Sequence, residues 1–245
     1  DLRSDYLAEG YSDLETAEFD REETIVALEN CLQRLGHKTD RIGNARTLIG
    51  RLARGERWDL VFNIAEGLMG IGREAQVPAI LDIYDIPYTF SDPLVMSLTL
   101  HKGMTKRVIR DAGIPTSDFI VFDGSLEDDD ITFQPPFFIK PIAEGTGKGV
   151  TPNSIIRRKE DLASACNEMF SAHVQPVLIE RYLSGREFTV GLTGTGSEAT
   201  VLGTVEVHLL AGAEQGVYSY ANKENCEELV RYDIRSSLEE PLVRR

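Results

Sequence analysis

The sequence is poor in the residues that build covalently or metal-held scaffolds. Three cysteines, Cys31, Cys166 and Cys226, stand far apart in 245 residues. An odd and widely spaced set excludes a disulfide framework and fits free thiols in a reducing cytoplasm. His37, His101, His173 and His208 form no pair at metal-ligand spacing. No apolar run approaches the roughly 20 residues a helix needs to cross a bilayer, so a membrane is not an expected partner. No basic stretch followed by an apolar core marks a secretory leader. The chain opens on Asp1 rather than Met and reads as clipped or disordered at its start. Basic residues are scarce too: 26 Lys and Arg face 40 Asp and Glu, for a net charge of -14. The first thirty residues hold ten acids against Arg3 and Arg21, more than half of that excess. Such a surface repels polyanions, which excludes nucleic acid as a partner, and a solvated acidic face accounts for it.

What is present is an ordinary globular composition, 42% hydrophobic and 27% charged, long enough for one large domain or two smaller ones. "REETIVALENCLQRLGH" spaces Ile25, Leu28, Leu32 and Leu35 as a helix does. "HKTDRIG" reads as a short strand, "ARTLIGRLARG" as a helix ending at Gly55, "WDLVFNIA" as a strand and "REAQVPAILDIYDI" as a helix. Strands alternating with helices predict a parallel sheet covered on its faces, with the Gly-rich "EGLMGIGRE" at a strand's carboxyl end, where such sheets place ligands. "IPYTFSDP" breaks the pattern. "HKGMTKRVIRDAGIP" is a helix stopped by Gly113 and Pro115. The acidic "SLEDDD" reads as an exposed connection. The second half is strand-rich: "DFIVF", "FFIKP", "QPVLIERYL", "EFTVGLTG" and "ATVLGTVEVHLL", with one helix at "RKEDLASACNEMF".

"FFIKPIAEGTGKGV" carries the chemistry. Gly145, Thr146, Gly147 and Gly149 with Lys148 have the makings of a nest of N–H groups for a phosphate. The loop is not a Walker A: Ile142 sits where the first Gly belongs and Gly149 where Ser or Thr belongs. By itself it reads first as a mobile turn. Its company favours phosphate. Lys140 ends an apolar strand beside it, and Lys102 opens a helix with Lys106 one turn along. In "VLIERYLSGREFTVG", Glu180, Leu183 and Glu187 suit an adenine amino group, an apolar base and a ribose hydroxyl, although solvated hairpin ends explain the acids better when they are taken alone.

Taken together, these segments resemble the D-alanine–D-alanine ligases of the ATP-grasp superfamily. "IPYTFSDPLVMSLTLHKGMTKRVIRDAGIPT", "FFIKPIAEGTGKGV", "VLIERYLSGREFTVG" and "VYSYANKEN" each match a stretch of that family, and the resemblance runs from about Trp58 to about Tyr232. It implies a Rossmann-like N-terminal domain (residues 1–92), then an α+β ATP-grasp domain of two lobes, 93–178 and 179–245, that clamp ATP. It implies that Lys102, Lys140 and Lys223 contact phosphates and that Gly145, Thr146 and Gly147 close over the γ-phosphate. Phe138 would pack under the adenine, with core burial an equal reading. Glu180 and Leu183 would line the hinge, and Glu187 would hold the ribose. The activity implied is an ATP- and Mg2+-dependent joining of two amino acids, D-alanine first among them, in a cytoplasmic homodimer that feeds peptidoglycan synthesis.

The sequence also departs from that family. Its loop is Gly145-Thr146-Gly147 rather than Gly-Ser-Ser. Glu224 stands where the ligases usually have Tyr, and Glu66 replaces a His. "RYDIRSSLEEPLVRR" looks like compressed remnants of two metal-binding strands. If residues intervene there in the full protein, Asp233 and Glu239 are the metal ligands and Arg231 holds a substrate carboxylate. If not, these are surface charges. The first reading is favoured, because an ATP site poor in carboxylates leaves the triphosphate charge uncompensated. Two rivals follow: an ATP-grasp ligase for a different amino acid or amine, and a nucleotide-binding module without catalysis.

Overall fold

A computed structural model describes residues 1–126 and 131–235, which leaves part of the acidic run at 125–130, and Glu239, outside the described residues. By packing, the chain divides into two units: residues 1–116 with 142–148, and residues 117–141 with 149–245.

The first unit is helical. Its elements are α1 (Arg3–Ala8), α2 (Glu22–Arg34), α3 (Ala45–Ala53), a 3-10 turn (Arg73–Ala75), α4 (Gln76–Ile83), α5 (Pro93–Leu100) and α6 (Lys102–Asp111). Capping residues explain the boundaries. The Asn44 side chain accepts the Thr47 N–H and starts α3. Asp92 accepts the Val95 N–H and, with Pro93 at the first helical position, starts α5. Gly55 and Gly113 both have positive φ. Each closes its helix with paired bonds to the last turn, Glu56 to Arg51 and Gly55 to Leu52, then Ile114 to Ile109 and Gly113 to Arg110. Leu48 and Leu52 of α3 and Val77 and Leu81 of α4 close on Val61 and Ile86 as one apolar core.

The parallel sheet expected here is reduced to isolated bridges among the described residues. "WDLVFNIA" pairs only at Val61, parallel to Tyr88, through Val61 N–H to Pro87 O and Thr89 N–H to Val61 O, both 2.9 Å. "HKTDRIG" forms no strand. A parallel ladder needs evenly spaced bonds along a partner strand, and here one residue finds them. The chain between the two bridge residues runs through α4.

The second unit contains β1 (Phe119–Phe122), β2 (Phe137–Pro141), β3 (Ile155–Ile156), α7 (Lys159–His173), β4 (Val177–Arg181), β5 (Glu187–Thr193), β6 (Thr200–Leu209), α8 (Tyr220–Glu224), α9 (Cys226–Leu229) and β7 (Val230–Arg235). Four strands form an antiparallel sheet in the order β1-β4-β2-β3, and three form a second in the order β5-β6-β7. Along β2, Phe137, Ile139 and Pro141 turn inward and alternate with Phe138 and Lys140, as a half-covered strand should. Phe137, Ile139, Val177 and Ile179 meet Leu162 and Cys166 of α7, together with Phe122, Phe133 and Ile156. Each large apolar side chain buried there contributes about 2 kcal/mol. Strand β4 is central, and Val177, Leu178 and Ile179 are fully buried in succession. No helix among the described residues is long and apolar enough to cross a membrane.

Candidate functional site

In the second unit, the alternation of β2 sets Phe138 and Lys140 on the face away from the apolar core. The register places Phe138 opposite Glu180 and Lys140 opposite Leu178. Lys140 Nζ donates to Glu180 Oε1 at 2.7 Å and lies 5.6 Å from the centre of the Phe138 ring. Ser117 Oγ donates to the other Glu180 oxygen at 3.3 Å, and the Tyr182 ring stands 6.2 Å from that of Phe138. An aromatic ring, a cation and a carboxylate thus share one face of the four-stranded sheet. Core burial of Phe138 does not hold, because Phe137 occupies the core instead. Leu183 follows β4 and is exposed. Glu187 opens β5 opposite Val207. Lys223, on α8, lies 4.8 Å from the centre of the Tyr218 ring. Burial lowers its pKa, and the nearby negative charge of Glu187 pulls the other way.

The first unit holds the Gly-rich loop. Residues 142–148 are tied to the start of α6. Lys102 N–H donates to Ile142 O at 3.0 Å, and its ammonium donates to Glu144 O. Lys148 pairs with the Glu144 carboxylate at 2.9 Å. Thr146, Gly147 and Gly149 have positive φ. For a β-branched residue such as Thr146 this is a strained conformation, of the kind concentrated at ligand-holding turns. Lys106 does not join Lys102 at the loop: it is buried and donates to Thr116 Oγ1 at 2.7 Å.

Sequence reasoning missed two residues here. Glu18 was part of an acidic stretch read as solvated, yet its side chain is 5% exposed and bonded to Arg73, itself 7% exposed, at 2.6 Å. The second oxygen of Glu18 accepts the Gly145 N–H. A Cβ at Gly145 would lie 2.9 Å from that oxygen, so a larger residue there would push the end of the Glu18 side chain aside. Glu66 and Glu74 lie beside this pair. Burial, then the negative charges of Glu74 and Glu18, push the Glu66 carboxyl up to about 7. Burial also raises Glu74.

The expected metal site is not formed by the described residues. Asp233 lies on β7 opposite Glu206, but its carboxylate is held by His208 Nε2 at 3.1 Å and Arg231 Nε at 3.2 Å. No group of three His, Cys, Asp or Glu suited to a metal ion occurs among the described residues. Arg231 is engaged with Asp233 and otherwise exposed. Glu206 is buried and receives two bonds from Arg186, at 2.6 and 2.7 Å. Among the described residues Asp233 is therefore a paired charge, and Glu239, the other ligand expected, lies outside them.

A family model described as D-ala D-ala ligase C-terminus matches residues 108–244, more than half of the chain. The protein y4sG of Sinorhizobium fredii is 34% identical over 193 residues, 76% of this chain and 54% of that protein. The D-alanine--D-alanine ligase of the same organism is 31% identical over 184 residues, 74% of this chain and 56% of the ligase. The crystal structure of a D-alanine--D-alanine ligase from Bacillus anthracis complexed with ATP gives a TM-score of 0.57 at 22% identity, over 79% of this chain and 57% of that one. The D-Ala:D-Ser ligase VanG from Enterococcus faecalis gives 0.55 at 24% identity, over 72% and 49%. This likeness is one of fold, the ATP-grasp fold of those ligases. The chain spans about half the length of the curated relatives it matches. With a family model over more than half of its residues, the chain belongs to the D-alanine–D-alanine ligase family.

Proposed function

We propose that this chain serves an ATP-dependent carboxylate–amine ligase that joins two amino acids, D-alanine first among them. The observation that carries the reading is the shared face of Phe138, Lys140 and Glu180 on β2 and β4. Phe138 offers a ring for stacking the base, and Glu180 and Leu183 line the adenine hinge. Glu187 takes the ribose. Lys102, Lys140, Lys223 and the N–H groups of Thr146 and Gly147 take the phosphates, with Gly145 at the base of the loop, where Glu18 holds its N–H. Lys140 exchanges its Glu180 partner for a phosphate oxygen when nucleotide enters.

The chemistry these groups suit is electrostatic. A substrate carboxylate oxygen attacks the γ-phosphorus and the bond to ADP breaks. The amine of the second substrate then attacks the acyl carbon, phosphate leaves with the bonding pair, and the amine gives up a proton. Two anions must meet, so cations and N–H dipoles supply the catalysis and no protein nucleophile is needed. Mg2+ is the metal that such a reaction calls for, with Asp233 and Glu239 as candidate ligands and Arg231 as the candidate carboxylate holder. The pairing of Asp233 with His208 and Arg231 argues against a site built from the described residues.

In this reading residues 1–92 are a Rossmann-like substrate side, and 93–178 and 179–245 are the two nucleotide lobes of a cytoplasmic homodimer. The β–α–β order through Val61, α4 and Tyr88 supports the first part. The paired Asp233 favours a second reading, a nucleotide-binding module without catalysis. Release of ADP from Mg-ATP, measured with a panel of D- and L-amino acids, separates the two. Release that depends on D-alanine and yields dipeptide is expected, and Lys140→Ala should lower it at least about a hundredfold. Tight ATP binding with no ADP from any amino acid would replace the ligase by the binding module.

A further inference from the structure

The Gly-rich loop has little of its own to hold its shape. Gly145, Gly147 and Gly149 carry no side chains, and Thr146 sits in a strained conformation. Its order is imposed in part from outside: Lys102 holds Ile142 and Glu144, and a buried ion pair holds residues 143 to 145. Arg73 Nη1 donates to Ala143 O at 2.8 Å. Arg73 Nη2 pairs with Glu18 Oε2 at 2.6 Å, and Glu18 Oε1 receives the Gly145 N–H. The Glu144 carboxylate stands 3.7 Å from the same guanidinium. Three consecutive loop residues, 143 to 145, are thus tied to Arg73 directly or through Glu18. The planar fork of arginine suits this, because it serves a carbonyl and a carboxylate at fixed angles.

We propose that Arg73 is a positioning residue for the phosphate loop, acting through Ala143 and Glu18. The inference rests on the nucleotide reading above. It has an electrostatic side as well as a geometric one. A carboxylate bonded to a loop N–H would repel a triphosphate, and the Arg73 charge cancels it at 2.6 Å. Without Arg73, Glu18 stands bare beside the phosphates. The loss should therefore fall on the phosphates and spare the nucleoside.

The test is calorimetric binding of ATP and of adenosine to the full chain and its variants. The parent should prefer ATP. Arg73→Gln should lose at least tenfold of that preference while adenosine binds as before, and Arg73→Lys should fall between. The double variant Glu18→Gln/Arg73→Gln removes both charges, keeps a donor for Ala143 O and an acceptor for Gly145, and should return to within about threefold of the parent. It also keeps the test open if Arg73→Gln alone does not fold. Amide exchange at Gly145 should quicken at least tenfold in the single variant. A parent that prefers ATP and an Arg73→Gln that prefers it equally would overturn the role of Arg73 alone. A double variant no better than the single would reduce Arg73 to a packing residue. A parent that binds ATP and adenosine alike would overturn the phosphate loop, and this proposal with it.

Discussion

Glu66 offers the sharpest link between charge and stability. Its neighbours are Glu74, Glu18 and Arg73, and burial with the two acids pushes its carboxyl from the ordinary 4.5 up to about 7. The folded state therefore binds a proton here that the unfolded chain releases at lower pH. Stability from this group is fully present below about pH 4.5 and is lost as pH rises toward 7. A shift of that size corresponds to about 3 kcal/mol at the usual conversion. Sharing of the proton with Glu74 and partial solvent access lower the expectation to about 2 kcal/mol. Glu66→Gln keeps the shape and removes the titration. Urea midpoints for parent and variant, taken from pH 4.5 to 8.5, measure the difference. The variant should gain on the parent by about 2 kcal/mol between pH 4.5 and 7.5, with no further gain above pH 8. A gap between the two proteins that stays constant over that range would refute the argument, because only a titrating group gives a slope.

Two other expectations follow from local structure. Val174 caps α7 with φ +50 and is 87% exposed, so its branched side chain gains little packing and suffers the left-handed penalty. Val174→Gly should stabilise by about 0.5–1 kcal/mol after the extra freedom of the unfolded chain is subtracted, and a thermal melt should rise by about 2 °C; a lower midpoint would count against the strain. Cys166 is fully buried in the second core and its thiol is pushed up to about 12 by burial. At pH 8 a disulfide reagent should label the exposed Cys31 within minutes and leave Cys166 untouched until denaturant is added. Equal rates in the native protein would show that the core opens.

Elements of both units were legible where they carry local signals. "FFIKP" reads as a short apolar strand, and it became β2 with its odd members in the core. Gly55 and Gly113 ended the helices they were expected to end. The failures share a different cause. "WDLVFNIA" has the composition of a strand, but a strand is made by partners, and only Val61 found one. Helix α5 was hidden because Pro93 was read as a break, whereas Asp92 before it is a capping residue and proline suits the first turn. Its "PLVMSLTL" is apolar nearly all round and shows no helical period. The bond between Gly145 and Glu18 joins positions 127 residues apart, a distance at which a single sequence carries no pairing signal. Lys106 looked equivalent to Lys102 by spacing, yet Thr116 claimed it.

The chain passes from the first unit to the second after Thr116, returns for residues 142–148, and leaves again. This interleaving sets an order of events on the ribosome. Arg73 and Glu18 are made early, and the carbonyl and N–H that complete their bonding arrive only with Ala143 and Gly145. Strands β1 and β2 emerge in between. A nascent chain that stops at Thr116 therefore holds a guanidinium and a carboxylate with loop partners still to come. The helical unit is finished only when the strand ahead of the loop has been made, so the order of synthesis couples the folding of the helices to that of the sheet.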